Sequence, residues 1–239
     1  MQKVLILGAG KIGALISGFL AECRDYEVHV ADVNGNAANS VVAAHGLPNL
    51  HACELDASNP ALLEAHLREH PADTIISSLP FYCNVKVAEI ARKVNAHYFD
   101  LTEDVAVTRS VRKTAEGSTR AFVPQCGLAP GFISIAANAL IQHFDEIRSV
   151  KLRVGALPQH PNNALKYSLT WSTDGLINEY GNLCLSVVSG EAQHVQPLEG
   201  LEEIEIDGTL YEAFNTSGGL GSLADSFGAG VEAMDYKTI

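Results

Sequence analysis

A glycine-rich turn near the amino terminus constrains the fold of this chain more than any other feature of its 239 residues. Four apolar residues, 4–7, come directly before Gly8, Gly10 and Gly13, and a segment with apolar residues at helical spacing follows them. The order of strand, G-x-G-x-x-G turn and helix is typical of a βαβ unit that binds a dinucleotide. The glycines permit a tight turn, a close approach of the backbone to a pyrophosphate and close packing of the helix on the strand.

An acidic residue follows this turn at the distance expected for ribose recognition. Asp32 lies 19 residues after Gly13, at the end of the second predicted strand. Its carboxylate is expected to accept hydrogen bonds from the ribose hydroxyls and to repel a 2′-phosphate, which predicts NAD rather than NADP as the cofactor. Lys11 and Ile12 belong to the same predicted site, because the first helical turn offers its N–H groups to the phosphates. Flavin binding uses the same fingerprint, but the chain shows no flavin motif. The alternative is a purely structural turn, with Asp32 capping the next segment.

The first half of the chain repeats one pattern, a short apolar run followed by a segment with helical periodicity. The predicted strands are residues 4–7, 27–31, 50–55, 74–77, 98–99 and 121–123, and the predicted helices are residues 12–20, 37–45, 60–69, 85–94 and 105–115. Ser58 or Asn59 is the expected cap before Pro60. Alternating strands and helices of these lengths predict an α/β fold, a Rossmann doubly wound parallel sheet, over residues 1–125.

Polar residues follow two of these strands. In doubly wound sheets, ligands lie beyond the carboxyl ends of the strands. Asp56, after the third strand, is therefore expected near the adenine. The expected neighbours of the ribose and nicotinamide come after the fourth strand; they are Ser77, Ser78, Leu79 and Pro80. The alternative is that the two serines are ordinary loop residues.

The periodicity changes after about residue 145. Polar and apolar residues alternate over residues 149–154, 166–172, 202–206 and 209–214. Alternation with period two predicts strands with one buried face, as in antiparallel or mixed sheets. Residues 126–239 are therefore predicted to form a second domain of α+β type.

Composition excludes several classes of function. With 28 acidic and 16 basic residues the formal net charge is −12, which disfavours nucleic acids and anionic membranes as partners. The five cysteines are scattered without C-x-x-C spacing and the nine histidines are dispersed, so neither a disulfide framework nor a metal site is predicted. His97 and His143 are interpreted as structural or surface residues. No run approaches a membrane span and no signal peptide is recognised, which predicts a cytoplasmic protein.

Several further motifs, spread over nearly the whole chain, resemble the saccharopine dehydrogenase-like family. Besides the fingerprint they are residues 79–82 (LPFY), 127–131 (GLAPG), 155–158 (GALP), 167–172 (YSLTWS) and 213–219 (AFNTSGG). The family includes saccharopine reductases, lysine 6-dehydrogenases and carboxynorspermidine dehydrogenases. The resemblance implies redox chemistry at a C–N bond of a small amino-acid substrate. It also implies a Rossmann domain followed by a mixed-sheet substrate and dimerisation domain, hence a homodimer.

The chain departs from the family pattern at three points. Saccharopine reductases commonly carry Asp where this chain has Ala129, and those of fungal type carry a basic residue in place of Asp32. Both differences favour the NAD-using, lysine 6-dehydrogenase-like branch or an unassigned relative. Members of the family also continue past a segment like residues 235–239, so the second domain is expected to be incomplete.

Hydride transfer from an amine-bearing carbon requires groups that hold the substrate and exchange its proton. Arg153, on the polar face of its predicted strand, is the expected anchor for a substrate carboxylate. Asp174 and Glu179 are the expected ammonium anchors or bases, and Tyr82 is a candidate proton carrier. The alternatives are a solvated Arg153, an N-cap at Asp174, a helix-surface charge at Glu179 and a packing role for Tyr82.

Two further residues complete the predicted substrate site. Ser172 lies on the polar face of residues 166–172, which can line a cleft or meet solvent. Cys126, in a glycine- and proline-rich segment after the last Rossmann strand, is a candidate wall residue, and the alternative is an inert buried thiol. The rival function for the whole chain is a non-catalytic, dinucleotide-binding or regulatory protein.

Overall fold

The computed structural model describes residues 1–164, 166–227 and 230–239, and the chain divides into two units with a sheet each. The first unit contains Met1–Thr102 and Ala106–Cys126, and the second contains Glu103–Val105 and Gly127–Ile239. Among the described residues, no helix is long and apolar enough to cross a bilayer.

Six strands form the sheet of the first unit, and all of their pairings are parallel. They are β1 (Gln2–Leu7), β2 (Tyr26–Asp32), β3 (Leu50–Glu54), β4 (Thr74–Ser77), β5 (His97–Asp100) and β6 (Phe122–Val123). Their order is β3-β2-β1-β4-β5-β6, so the direction of winding reverses between β1 and β4. The predicted Rossmann fold is confirmed, and its crevice lies beyond the carboxyl ends of β1 and β4.

Helices connect these strands. They are α1 (Lys11–Glu22), α2 (Gly35–His45), α3 (Pro60–Glu69), α4 (Asn84–Lys93) and α5 (Val105–Ala115), with a 3₁₀ turn at Phe81–Cys83 before α4. Of the two predicted caps for α3, Asn59 is the one used, because its side chain accepts a hydrogen bond from the N–H of Ala61 at 3.0 Å. Gly46 ends α2 in the left-handed conformation with φ of 61°.

The core of the first unit has two layers because side chains alternate across the sheet. Val4 and Ile6 of β1 pack in the layer that contains residues of α1 and α2. Leu5 and Leu7 pack in the opposite layer, with residues of α3 and α4. Burial on both faces explains why the strands read as continuous apolar runs.

The second unit contains a mixed sheet, as predicted. Its strands are β7 (Ser149–Val154), β8 (Cys184–Val188), β9 (Glu191–Val195), β10 (Glu202–Ile206), β11 (Thr209–Asn215) and β12 (Ala233–Thr238). Strand β12 pairs in parallel with β7 along its length, and antiparallel with β8 and β11 at its two ends. Three helices accompany the sheet: α6 (Phe132–Ile141), α7 (Thr173–Gly181) and α8 (Leu223–Phe227).

The predicted strand over residues 166–172 is wrong, because this segment is a loop. Lys166 has φ of 52°, which an extended strand does not permit. The contacts of the segment are local: Asn163 Nδ2 donates to the Tyr167 carbonyl at 2.7 Å, and Trp171 Nε1 donates to the Tyr167 hydroxyl at 3.3 Å. Alternation of polar and apolar residues here reflects local packing without a neighbouring strand.

Candidate dinucleotide-binding site

The turn between β1 and α1 requires glycine at two positions. Gly8 has φ of 99°, and a Cβ atom there would lie 3.1 Å from the Ser78 carbonyl oxygen. A Cβ atom on Gly13 would lie 1.9 Å from the carbonyl oxygen of Gly8, which is a severe overlap. These two glycines therefore serve the tight turn and the close packing of helix on strand.

Gly10 has a different environment. A Cβ atom on Gly10 would meet no protein atom within 4 Å, so internal packing does not explain this glycine. It is also the N-cap of α1. The first turn of this helix contains no acidic residue, and no side chain caps its amino terminus. Lys11 and Ile12, the next two residues, are exposed. Open space beside a helix amino terminus fits a pyrophosphate, which would accept hydrogen bonds from the N–H groups of this turn.

Asp32 lies at the end of β2, next to this turn. One carboxylate oxygen accepts a hydrogen bond from the N–H of Ala9 at 2.8 Å, and the other accepts from the N–H of Asn34 at 2.9 Å. The N-cap of α2 is Asn34, so Asp32 fixes the glycine turn rather than capping the helix. Glu54, which ends β3, is the register neighbour of Asp32 and was not predicted as a site residue. Two carboxylates thus end adjacent strands where a ribose is expected.

The residues after β3 and β4 have specific local partners. Asp56 accepts hydrogen bonds from the N–H and the hydroxyl of Ser58, at 3.0 and 2.5 Å. The buried Ser77 hydroxyl donates to Asn84 Oδ1 at 2.7 Å. Ser78 lies against Gly8 and Gly13, so its side chain borders the glycine turn.

The segment after Ser78 leads away from β4 into a short turn. Leu79 is partly buried and packs against the core layer that contains Leu5 and Leu7. Pro80 precedes the 3₁₀ turn that contains Tyr82, whose side chain is 62% exposed. A packing role in the core is therefore wrong for Tyr82, although its ring makes an edge contact with Phe81.

Asp100, a residue that sequence reasoning missed, ends β5 at the same edge of the sheet. It is buried and accepts hydrogen bonds from the Tyr98 hydroxyl at 2.8 Å and from the N–H groups of Thr102 and Gln125. Burial raises the pKa of Asp100, although these hydrogen bonds oppose the shift. Cys126 donates its N–H to the Asp100 carbonyl and is exposed, so the alternative of an inert buried thiol is wrong. Ligands of doubly wound sheets lie beyond the carboxyl ends of the strands. Applying this rule to β5 as well would have identified Asp100.

Arg153, the expected anchor for a substrate carboxylate, already has partners within the protein. Its guanidinium donates to Glu202 and Asp235, with the shortest distance 2.7 Å to each, and to the carbonyl of Leu152 at 2.8 Å. Two longer contacts of 3.3 Å to the same carboxylates involve the remaining N–H groups. Since a guanidinium has five N–H donors, the sheet itself satisfies this side chain. Lys237 adds a further ion pair to Glu202 at 2.9 Å.

Glu179, expected to be a substrate anchor or a surface charge, is buried in α7. Its carboxylate accepts hydrogen bonds from the hydroxyls of Thr216 at 2.7 Å and Thr238 at 3.3 Å. Burial raises the pKa of Glu179, and the nearby Glu103 raises it further, whereas the Thr216 hydroxyl lowers it. Thr216 belongs to the motif 213–219, so this motif serves to hold a buried carboxylate.

The two remaining predicted residues lie at the start of α7. Ser172 is the N-cap, because its hydroxyl oxygen accepts a hydrogen bond from the N–H of Gly175 at 3.1 Å. Asp174 is exposed in the first helical turn, where a negative charge is favourable. The cap is therefore at Ser172 and not at Asp174.

Both units match models of known protein families. The model for the saccharopine dehydrogenase NADP binding domain matches residues 4–125, and the model for the saccharopine dehydrogenase C-terminal domain matches residues 127–239. Together the two matches cover nearly the whole chain.

Two curated relatives illustrate the similarity. Saccharopine dehydrogenase [NADP(+), L-glutamate-forming] of Schizosaccharomyces pombe is 25% identical over 183 residues, covering 74% of this chain and 40% of that protein. Alpha-aminoadipic semialdehyde synthase of Arabidopsis thaliana is 24% identical over 216 residues, covering 80% of this chain and 20% of that protein. The chain thus spans less than half the length of either relative.

A solved structure shares the fold. Apo saccharopine dehydrogenase (L-Glu forming) from Saccharomyces cerevisiae superposes with a TM-score of 0.76 at 21% identity, covering 100% of this chain and 55% of that one. The order of strands and the succession of two sheets are therefore those of a known architecture.

Proposed function

The chain belongs to the saccharopine dehydrogenase family, and we propose that it is a nicotinamide-dependent oxidoreductase acting on a C–N bond of an amino-acid substrate. The observation that carries the proposal is the match of both family domains, joined to a glycine turn with an open space at Gly10. When bound, the oxidised nicotinamide would supply a hydride acceptor. Loss of a hydride from the substrate carbon and of a proton from the nitrogen would leave a C=N bond, and hydrolysis of that bond would release a carbonyl and an amine.

The residues of the first unit supply the cofactor part of this proposal. The N–H groups at the start of α1 bind the pyrophosphate, and Asp32 binds the ribose hydroxyls while holding the glycine turn through Ala9. Ser78 and Pro80 border the nicotinamide at the crevice between β1 and β4. Positioning of this kind is a large part of catalysis by hydride transfer.

The proposal includes a preference for NAD over NADP. Asp32 and Glu54 end adjacent strands, and both carboxylates repel the 2′-phosphate of NADP. The family model and the S. pombe relative carry NADP in their names, so the preference proposed here differs from what those names state. Equilibrium titration with NAD⁺ and NADP⁺ tests it. We expect tighter binding of NAD⁺ by at least about tenfold, and equal or tighter binding of NADP⁺ contradicts it.

The proton-transfer part rests on exposed side chains. Tyr82 and Asp174 are exposed and remain the proposed proton carriers. Arg153 is left out because its donors are used within the sheet, and Glu179 is left out because it is buried against two threonine hydroxyls. A homodimer, implied by the family resemblance, is part of the proposal and is tested by sedimentation of the purified chain.

The activity is tested by incubating the purified chain with NAD⁺ and, separately, saccharopine, lysine and related amines. We expect reduced-nicotinamide absorbance to appear with one of them and to disappear in the Gly10→Ala variant. Binding of NAD⁺ without turnover on any amine contradicts the enzymatic proposal and favours a dinucleotide-binding protein. The binding titration separates this outcome from a loss of the cofactor site.

A further inference from the structure

Three metal-ligating side chains lie together on one face of the first sheet. Glu27 and His29 are two residues apart on β2, and side chains at this spacing point to the same face of a strand. His51 on β3 is the direct register neighbour of His29, and the centroids of the two rings are 5.0 Å apart. One ligand atom from each residue lies within 4.8 Å of the other two. The pairing of β2 with β3 therefore creates the cluster.

From this geometry we infer that Glu27, His29 and His51 form a binding site for a divalent transition-metal ion such as Zn²⁺. Two imidazoles and one carboxylate are a ligand set that zinc uses with water in the fourth position. The site is separate from the dinucleotide-binding proposal and does not depend on it.

Glu27 and His29 already contact each other directly. His29 Nε2 and Glu27 Oε1 form a hydrogen bond of 3.1 Å, which a shared ion would replace. Two ligands at the bond lengths of zinc to nitrogen and oxygen are about 3.3 Å apart in tetrahedral geometry and about 2.9 Å apart in octahedral geometry. The observed separation lies between these values. His51 is exposed, so its ring is free to turn toward the other two donors.

The surroundings contain one opposing charge and further imidazoles. Lys3 Nζ lies 3.9 Å from Glu27 Oε1, but its side chain is half exposed and can turn into solvent. His29 also lines a small cavity of about 100 Å³ together with His66 and His70. A cavity of this size has room for a few water molecules beside the His29 ring.

The position of the cluster separates it from the cofactor crevice. His29 lies three residues before Asp32 on β2, a distance of about 10 Å along a strand. Strand β3 is an edge of the sheet, and it pairs only with β2 among the strands of that sheet. A metal ion bound here would join the edge strand to its neighbour and stabilise the pairing.

Calorimetric titration of the untagged, chelator-free chain with ZnCl₂ tests the site, with Co²⁺ as a visible-absorption probe of the ligands. We expect one ion per chain, a higher melting temperature with metal and a Co²⁺ spectrum without thiolate bands. His51→Ala and Glu27→Gln are each expected to weaken binding by at least about tenfold. Lys3→Met, which removes the opposing charge, is expected to bind at least as tightly as the wild type.

His194→Ala, on β9 of the second unit, is the matched control and is expected to leave the affinity unchanged. Circular dichroism of each variant confirms that it is folded before titration. The inference is overturned if the wild type binds no stoichiometric metal, if both ligand variants bind as tightly as the wild type, or if the Co²⁺ spectrum shows thiolate ligands.

Discussion

The two units differ in whether their polar groups are satisfied by other groups of the protein. At the carboxyl edge of the first sheet, Gly10 faces open space and α1 begins without a side-chain cap. In the second unit, Arg153 is paired with Glu202 and Asp235, and Glu179 of α7 is held by threonine hydroxyls. Backbone groups left open to solvent are free to bind a ligand, whereas charged side chains satisfied within their own unit stabilise its fold.

The largest expected effect tests the glycine turn of the first unit. Gly13→Ala forces a Cβ atom into the carbonyl oxygen of Gly8, so we expect NAD⁺ affinity to fall by at least about 100-fold, or about 2.7 kcal/mol. Gly10→Ala is expected to lower the affinity while leaving the melting temperature unchanged, because its Cβ meets no protein atom. Gly181→Ala in the second unit has equal space and serves as the neutral control. If the Gly10→Ala variant binds NAD⁺ with normal affinity, the proposed position of the pyrophosphate beside Gly10 is wrong.

The second prediction breaks the ion pairs of the second unit. Arg153→Met leaves two partly buried carboxylates short of a partner, and we expect a loss of about 2 to 3 kcal/mol in unfolding free energy. Urea unfolding followed by the fluorescence of Trp171, the single tryptophan, reports on this unit. Arg148→Met removes an exposed ion pair with Glu232 and is the matched control with little expected change. Lost turnover in Arg153→Met, with stability and NAD⁺ binding unaltered, would restore its role as a substrate anchor.

The third prediction concerns cofactor choice in the first unit. Asp32→Ser removes the negative charge but keeps a short oxygen acceptor near the N–H of Ala9. We expect the ratio of NADP⁺ to NAD⁺ affinity to rise by about tenfold, or about 1.4 kcal/mol. Asp25→Ser, just before the opposite end of β2, is the control with an unchanged ratio. An unchanged ratio in Asp32→Ser would show that its carboxylate serves only to hold the turn.

The smallest expected effect distinguishes two carboxylates by the sign of their pH dependence. The raised pKa of Glu179 means that protonation stabilises the fold, so its contribution is present below the usual value of 4.5 and is lost as pH rises through the folded pKa. Hydrogen bonds from Arg153 lower the pKa of Glu202 to about 2, so its contribution is present above 4.5 and is lost as pH falls towards 2.

These signs predict opposite behaviour of two matched variants in urea unfolding. Relative to the wild type, Glu179→Gln is expected to gain stability as pH rises from 4.5 through the folded pKa of Glu179. Glu202→Gln is expected to lose stability relative to the wild type as pH rises from about 2 to 4.5, and to keep that deficit at higher pH. Parallel pH profiles for the two variants would contradict the difference in environment.

Much of the first unit was predictable because its signals are local. Predicted and observed bounds coincide for α3 (Pro60–Glu69) and β4 (Thr74–Ser77), where a cap and a continuous apolar run define the element. The strand predicted over residues 166–172 failed because alternation alone does not supply a partner strand. The ion pairs of Arg153 were not predictable for a similar reason, since its partner Asp235 is 82 residues away in sequence.

The sequence by itself determined the order of strands and helices, the glycine turn and the acidic residue that follows it, because periodicity and turn chemistry act over a few residues. Only the tertiary structure decided which distant side chains meet. His51 is 22 residues from His29 in sequence, and only the parallel register of β2 and β3 placed it beside His29 and Glu27. Strand register depends on the packing of a whole sheet, so no local sequence pattern predicts it.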